Sequence, residues 1–284
     1  MFNALTVDVE YWWCNEFLTP YLPKEKKSFV VEATELLLDI FDKYKLKTTF
    51  FILGKVAENH PELIKKIHKK NHEIGNHAYS HKPLYNLSKK EVEWEIETTD
   101  ELIYNITNEK PVGFRAPHAS ITNKNKWILD ILRGLSYKYD SSVYPVKTNL
   151  YGIPNAPVDI YRPSRDNISK HGYSDDIIEV PLSAIKLFNF YNANLNVPLG
   201  GGFYFRFYPY SIFKLGILKI NKENRPFIGY IHPWEFYGDF PDMRIPLLNK
   251  FEATWGRGDK AINKLEKVLI DFKFKKICEI IEKY

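Results

Sequence analysis

An α/β fold with parallel strands arranged as a barrel is predicted by three observations. Short apolar runs of strand character alternate with segments of helical apolar spacing. Four of the predicted strands end in residues able to do chemistry, as strand C-termini do on the active face of such a barrel. And 284 residues, 44% hydrophobic and 26% charged, suffice for a well-buried soluble core.

The elements follow in order. Ala4 to Glu10 reads as a buried strand ending in carboxylates, and Pro20 and Pro23 mark a loop. From Phe29 to Tyr44, Val30, Ala33, Leu37, Ile40, Phe41 and Tyr44 recur at helical spacing. Lys47 to Leu53 is a second strand, ended by Gly54, and Pro61 opens a helix carrying Leu63, Ile64 and Ile67. His72 to Asn76 is a third strand. Ser88 with Glu91 forms the signature of a capping box for a helix running to about Ile106. Pro111 to Ala116 is a fourth strand and loop; a helix near Lys124–Leu132 and a strand near Tyr137 follow. From about 144 to 210 the chain turns rich in Pro, Asn, Tyr and Gly, with one strand, Ile177 to Val180, and a Gly200-Gly201-Gly202 turn. That stretch is expected to be a long central insertion over one end of the barrel, so that residues 1–284 form a single domain. Phe227 to Ile231 is a late strand, and Asp259 to Phe272 an amphipathic helix.

Composition narrows the function classes. The net charge is +5, but the lysines are interspersed with acids, as in Lys24–Lys27 and Lys273–Lys276. Such runs are solvated faces and not a nucleic-acid footprint, although a mild attraction to anionic polymers or membrane surfaces follows from the sign. Aromatic residues reach 15%, which composition alone assigns to a bulky core before a sugar-stacking groove. The two cysteines, Cys14 and Cys278, offer neither a disulfide framework nor thiolate metal spacing. No signal-peptide pattern precedes the first strand and no apolar run is long enough to span a bilayer. Cytoplasm is the expected compartment, with peripheral contact at the inner face of the membrane left open.

The candidate chemistry lies at the strand ends. His77 and His81 stand four apart, a spacing that lets two imidazoles share a cation. Asp8 and Glu10 alternate on one face of the first strand; one can complete the metal site while the other serves as general base. Arg115 follows the fourth strand, suited to hold a carboxylate ionised. His232, at the end of the late strand, can protonate a leaving amine. The other histidines are expected to be structural, His118 with least conviction because it follows Arg115-Ala116-Pro117.

Taken together these motifs resemble the polysaccharide deacetylases of carbohydrate esterase family four, the NodB-homology group. Thr6-Val7-Asp8-Val9-Glu10, Asn76-His77-Ala78-Tyr79-Ser80-His81, Phe114-Arg115-Ala116-Pro117 and Tyr230-Ile231-His232 carry the resemblance. It extends to a branch associated with exopolysaccharide and surface-glycan clusters through the Asp-Val-Glu first motif, Tyr139 to Ser142, Glu179-Val180-Pro181, Gly200 to Arg206 and His232 to Phe236. The resemblance implies a deformed (β/α)7 barrel, one divalent metal ion, often zinc, and removal of an acetyl group from an N-acetylated sugar. It matches Asp8 to the general base, Arg115 to its positioning residue, His232 to the general acid, and His77 and His81 to the metal histidines. The sequence departs from the family pattern at three places. Val9 stands where a second Asp is usual, so Glu10 is taken as the carboxylate ligand. Ala78 replaces a supporting Ser or Thr, and Tyr230 replaces a Leu of the acetyl pocket. A backbone N–H near Pro117 is expected to hold the oxyanion, and Tyr79, Phe203 and Trp234 to contact the sugar. Two other readings fit the motifs: a metal amidase for a small non-sugar amide, and a glycan-binding protein without catalysis.

Overall fold

The computed structural model describes all residues except 149–150, 173–176, 191–192, 239 and 242. Ten strands run in chain order: β1 (Phe2–Val9), β2 (Thr49–Ile52), β3 (Glu73–Asn76), β4 (Gly113–Phe114), β5 (Tyr139–Asp140), β6 (Ile178–Glu179), β7 (Ala184–Phe190), β8 (Ala193–Pro198), β9 (Ile228–Ile231) and β10 (Lys273–Phe274). Eight of them make one sheet and β7 pairs with β8 in a separate antiparallel pair. The large sheet is parallel throughout, in the order β9-β1-β2-β3-β4-β5-β6, with β10 against the first residues of β1. It curls into a deformed barrel with helices on its outer side, as the alternation predicts. No ladder joins edge strands β6 and β9 among the described residues. Ser183 N–H donates to Ile228 O at 2.9 Å and Tyr230 N–H to Gly200 O at 2.8 Å, so the segments after β6 and β8 bridge that seam.

β1 is central because it is apolar on both faces: Leu5, Val7 and Val9 are at most 1% exposed and belong to the main core with Phe50, Ile52, Phe41 and Ile231. The helix Val30–Lys43 covers it with Leu37, Leu38 and Phe41. The capping box at Ser88 is formed: Glu91 N–H donates to Ser88 Oγ, and Ser88 N–H to Glu91 Oε2 at 2.7 Å. It starts the helix Lys89–Thr107, whose inner face packs the His-bearing loop after β3.

Two features differ from expectation. Gly54 does not merely end β2; it begins a helix, Gly54–Asn59. A Cβ there would lie 2.4 Å from Thr99 Oγ1 and 2.6 Å from the Tyr79 ring, so close packing is what requires glycine. The stretch read as an insertion contains β6, a strand of the barrel itself, besides the β7–β8 pair and the helix Gly202–Phe207. Its pairing covers only two residues, too few for periodicity to reveal.

Candidate active site

The parallel topology brings the ends of β1, β3, β4, β5 and β9 to one rim. A pocket of about 100 Å³ opens there, lined by Asp8, Glu10, His77, His81, Arg115 and His232 among others. All six sequence-predicted metal and catalytic residues therefore meet.

Asp8 is 3% exposed. Arg115 reaches it across the barrel: Nη1 donates to Asp8 Oδ1 at 2.7 Å and to Thr6 Oγ1 at 2.6 Å. Nε and Nη2 of Arg115 are spent on Ser141 O and Ser141 Oγ at 3.1 and 2.9 Å. The guanidinium lies 4.2 Å above the Phe51 ring. With its fork committed on both sides, Arg115 has one orientation, and Asp8 is held with it.

The loop after β3 turns at Ala78, with φ +56°, and at His81, with φ +63°. Those turns point His77 and His81 inward and Tyr79 outward. Three groups fix the loop. Asn76 Oδ1 accepts from Ala78 N–H at 2.7 Å, and the Glu95 carboxylate accepts from Tyr79 N–H and Ser80 N–H at 2.8 and 2.7 Å. Ser80 Oγ also donates to Glu95. The support absent at Ala78 is thus supplied by Asn76 and Glu95. His77 Nδ1–H donates to Arg115 O at 2.7 Å, which leaves Nε2 as the lone-pair nitrogen, 3.8 Å from Glu10 Oε2.

Glu10 sits between three imidazoles. Its Oε2 contacts His81 Nε2 directly, and its Oε1 stands 3.5 Å from His232 Nε2. Burial pushes its carboxyl up, but the His81 and His232 charges outweigh burial and hold it well below the usual carboxylate range. Burial lowers His81, favouring neutral imidazole. An ionised carboxylate beside a neutral imidazole is the donor set a divalent cation requires. Donor atoms of Glu10, His81 and Cys14 lie within 4.8 Å of one another, a group able to hold a metal ion. Cys14 was not expected here. It follows Glu10 by four residues in the 3-10 turn Trp12–Cys14 at the end of β1, a proximity visible only once that turn is formed.

His232 faces a carboxylate on each side, Glu10 by Nε2 and Glu235 Oε2 by Nδ1, at 3.5 Å each. Burial lowers its pKa, but Glu10 and Glu235 overcome this and raise it to about 9. Glu235 is also buried; burial pushes it up, and Arg206 and His232 bring it down to about 2. Arg206 Nε donates to Glu235 Oε1 at 2.7 Å. Neither Glu235 nor Arg206 was singled out from sequence, although His232-x-x-Glu235 is a readable spacing. Of the expected sugar contacts, Phe203 lines the pocket. Trp234 also lines it, yet is 2% exposed and stacks on His232, with its Nε1–H donating to Glu10 Oε1 at 3.3 Å. Tyr79 donates to Glu58 at 2.7 Å and packs on Trp94 outside the pocket. Pro117 is buried and is not a lining residue, while its neighbours Ala116 and His118 are. His118 Nδ1 pairs with Glu16 Oε2 at 2.8 Å and its ring meets His81 at 4.5 Å.

Comparison with known proteins agrees with this geometry. Residues 5–139 match the family of polysaccharide deacetylases, and residues 141–282 match a domain of unknown function, DUF3473. A peptidoglycan-N-acetylglucosamine deacetylase of Bacillus cereus is 36% identical over 98 residues, 34% of this chain and 36% of that protein. A peptidoglycan deacetylase of Helicobacter pylori is 29% identical over 151 residues, 51% of this chain and 50% of its own length. The chain thus matches half or less of these relatives. A solved Mycobacterium smegmatis structure assigned to the polysaccharide deacetylases is similar in fold, with a TM-score of 0.62 at 17% identity, covering 99% of this chain and 88% of that one.

Proposed function

Because the chain belongs to the polysaccharide deacetylases of carbohydrate esterase family four, with DUF3473 as its C-terminal half, we propose that it removes an N-acetyl group from a sugar of a surface glycan or its precursor. The observation that carries this reading is the convergence on one small pocket of the Asp8–Arg115 pair, the Glu10, His77 and His81 donors, and His232.

We assign Glu10, His77 and His81 as the metal ligands and zinc as the ion, since imidazole and carboxylate donors with a thiol nearby suit a borderline cation. Bound there, the ion supplies Lewis acidity toward the amide carbonyl and the attacking water. Asp8, fixed by Arg115, takes the proton of that water. His232, kept protonated by its two carboxylate neighbours, gives a proton to the departing sugar nitrogen. The water-poor pocket strengthens each of these electrostatic contacts. The Asp8-Val9-Glu10 motif and the Gly200–Arg206 and His232–Phe236 segments support placing the chain in the branch linked to surface-glycan clusters. They also support treating 1–284 as one catalytic domain, because both halves furnish pocket residues.

The test is acetate release from N-acetylated oligosaccharides with and without chelator, alongside metal analysis of His77→Ala and His81→Ala. Loss of both metal and turnover is expected. Turnover that survives chelation and both substitutions would sink the reading.

A further inference from the structure

A second, larger cavity adjoins the pocket: an open groove of about 980 Å³. Cys14, Glu16, His81 and His118 line both, so the two spaces are continuous. The pocket's roughly tenfold smaller volume suits an acetamido group and its immediate surroundings, leaving the rest of a glycan to lie elsewhere.

The groove has the chemistry of a particular ligand. Its wall carries Tyr11 and Trp13, stacked with ring centroids 4.4 Å apart and planes at 6°, and the exposed Tyr85. Flat aromatic faces at a cavity wall suit the apolar face of a sugar ring. Three exposed lysines line the same groove: Lys26, Lys55 and Lys82. Lys26 Nζ lies 6.0 Å from the Trp13 ring and Lys55 Nζ 6.0 Å from the Tyr79 ring. Among the described residues none of the three is ion-paired, whereas Lys43, Lys66, Lys70 and Lys214 elsewhere on the surface are. The groove's acidic residue, Glu16, is already paired with His118. Uncompensated positive charge beside sugar-stacking rings fits a glycan that carries anionic groups.

We infer that this groove binds an anionic glycan, one bearing carboxylate or phosphate groups along the chain, whose N-acetylated unit enters the pocket. The inference rests on the sugar-deacetylase reading of that pocket and adds the charge of its substrate.

The experiment is equilibrium binding to the full chain, followed by tryptophan fluorescence in the presence of chelator so that turnover plays no part. The probes are a hyaluronan hexasaccharide, which alternates N-acetylated and carboxylate sugars, and neutral chitohexaose. The hyaluronan probe should bind about tenfold more tightly at low salt, and that preference should shrink at about 0.5 M salt as screening sets in. The triple variant Lys26→Glu/Lys55→Glu/Lys82→Glu should abolish the preference while binding chitohexaose within about twofold of the parent. Equal affinity for the two probes, a salt-insensitive preference, or a variant that weakens both alike would overturn the inference. Acetate release is read separately. A protein that prefers the anionic probe yet releases no acetate contradicts the deacetylase reading alone; one that releases acetate without the preference contradicts this inference alone.

Discussion

At the scale of single residues, the arrangement around His232 decides what that side chain can do. Its two carboxylate neighbours keep a buried imidazole charged, and Arg206 keeps one of those carboxylates ionised. Glu235→Gln should therefore lower kcat on an N-acetyl sugar about 100-fold. It should change hydrolysis of 4-nitrophenyl acetate, whose leaving group needs no proton, less than about threefold. Equal losses on both substrates would show a collapsed site instead of a lost acid. The same charges couple to stability. His232 has its pKa raised from 6.5 to about 9, so it stabilises the fold fully below pH 6.5 and the benefit fades as pH rises through 9. Glu235, depressed from 4.5 to about 2, stabilises above 4.5 and loses its effect as pH falls through 2. For chelator-treated protein, the urea midpoint should fall between pH 6.5 and 9, with a loss on the order of 3 kcal/mol assignable to His232. His232→Gln should flatten that part of the profile; an unchanged slope would refute the assignment. Asp8, His77, His81 and Arg115 were legible in the sequence because each sits in a short motif at a strand end. Glu235 and Arg206 were not, because their roles arise from a contact across 29 residues of chain.

At the scale of elements, the loop after β3 shows how a helix can serve a site it does not enter. Glu95, 3% exposed on the helix Lys89–Thr107, receives two backbone N–H groups and a hydroxyl of the loop that carries His77 and His81. Glu95→Gln keeps the shape but replaces an acceptor-only carboxylate by an amide that must turn a donor toward one of those groups. The loop should loosen and metal affinity, measured by competition with a chelator, should drop about 10- to 100-fold. Affinity equal to that of the parent would mean that backbone geometry alone holds the histidines. The helix itself was readable from Ser88 and Glu91, since a capping box is a local signal. The service of Glu95 to the loop was not, since nothing in helical periodicity distinguishes a buried acid that anchors a loop from one at a solvent boundary.

At the scale of the whole molecule, the boundary between the two family matches at residues 139 and 141 cuts through a single sheet. The β1 strand, from the first half, pairs through Ala4 to Val7 with β9, and through Phe2 and Asn3 with β10, both from the second. The alternating pattern revealed the barrel, yet it understated the second half, because β5, β6 and β10 each span two residues and carry almost no period of their own. Their placement comes from tertiary pairing. Severing the chain after 140 would expose one edge of β1 and uncover core residues such as Leu5 and Val7, and would remove His232 from the pocket. Residues 1–140 expressed alone should be insoluble or lack a cooperative thermal transition. Co-expressed with 141–284 they should yield a soluble complex, because the β1–β9 ladder and its core contacts can re-form between fragments. A soluble 1–140 fragment with a cooperative transition would mean that the first half is a domain in its own right, and that DUF3473 contributes His232, Glu235 and Arg206 as an attached module.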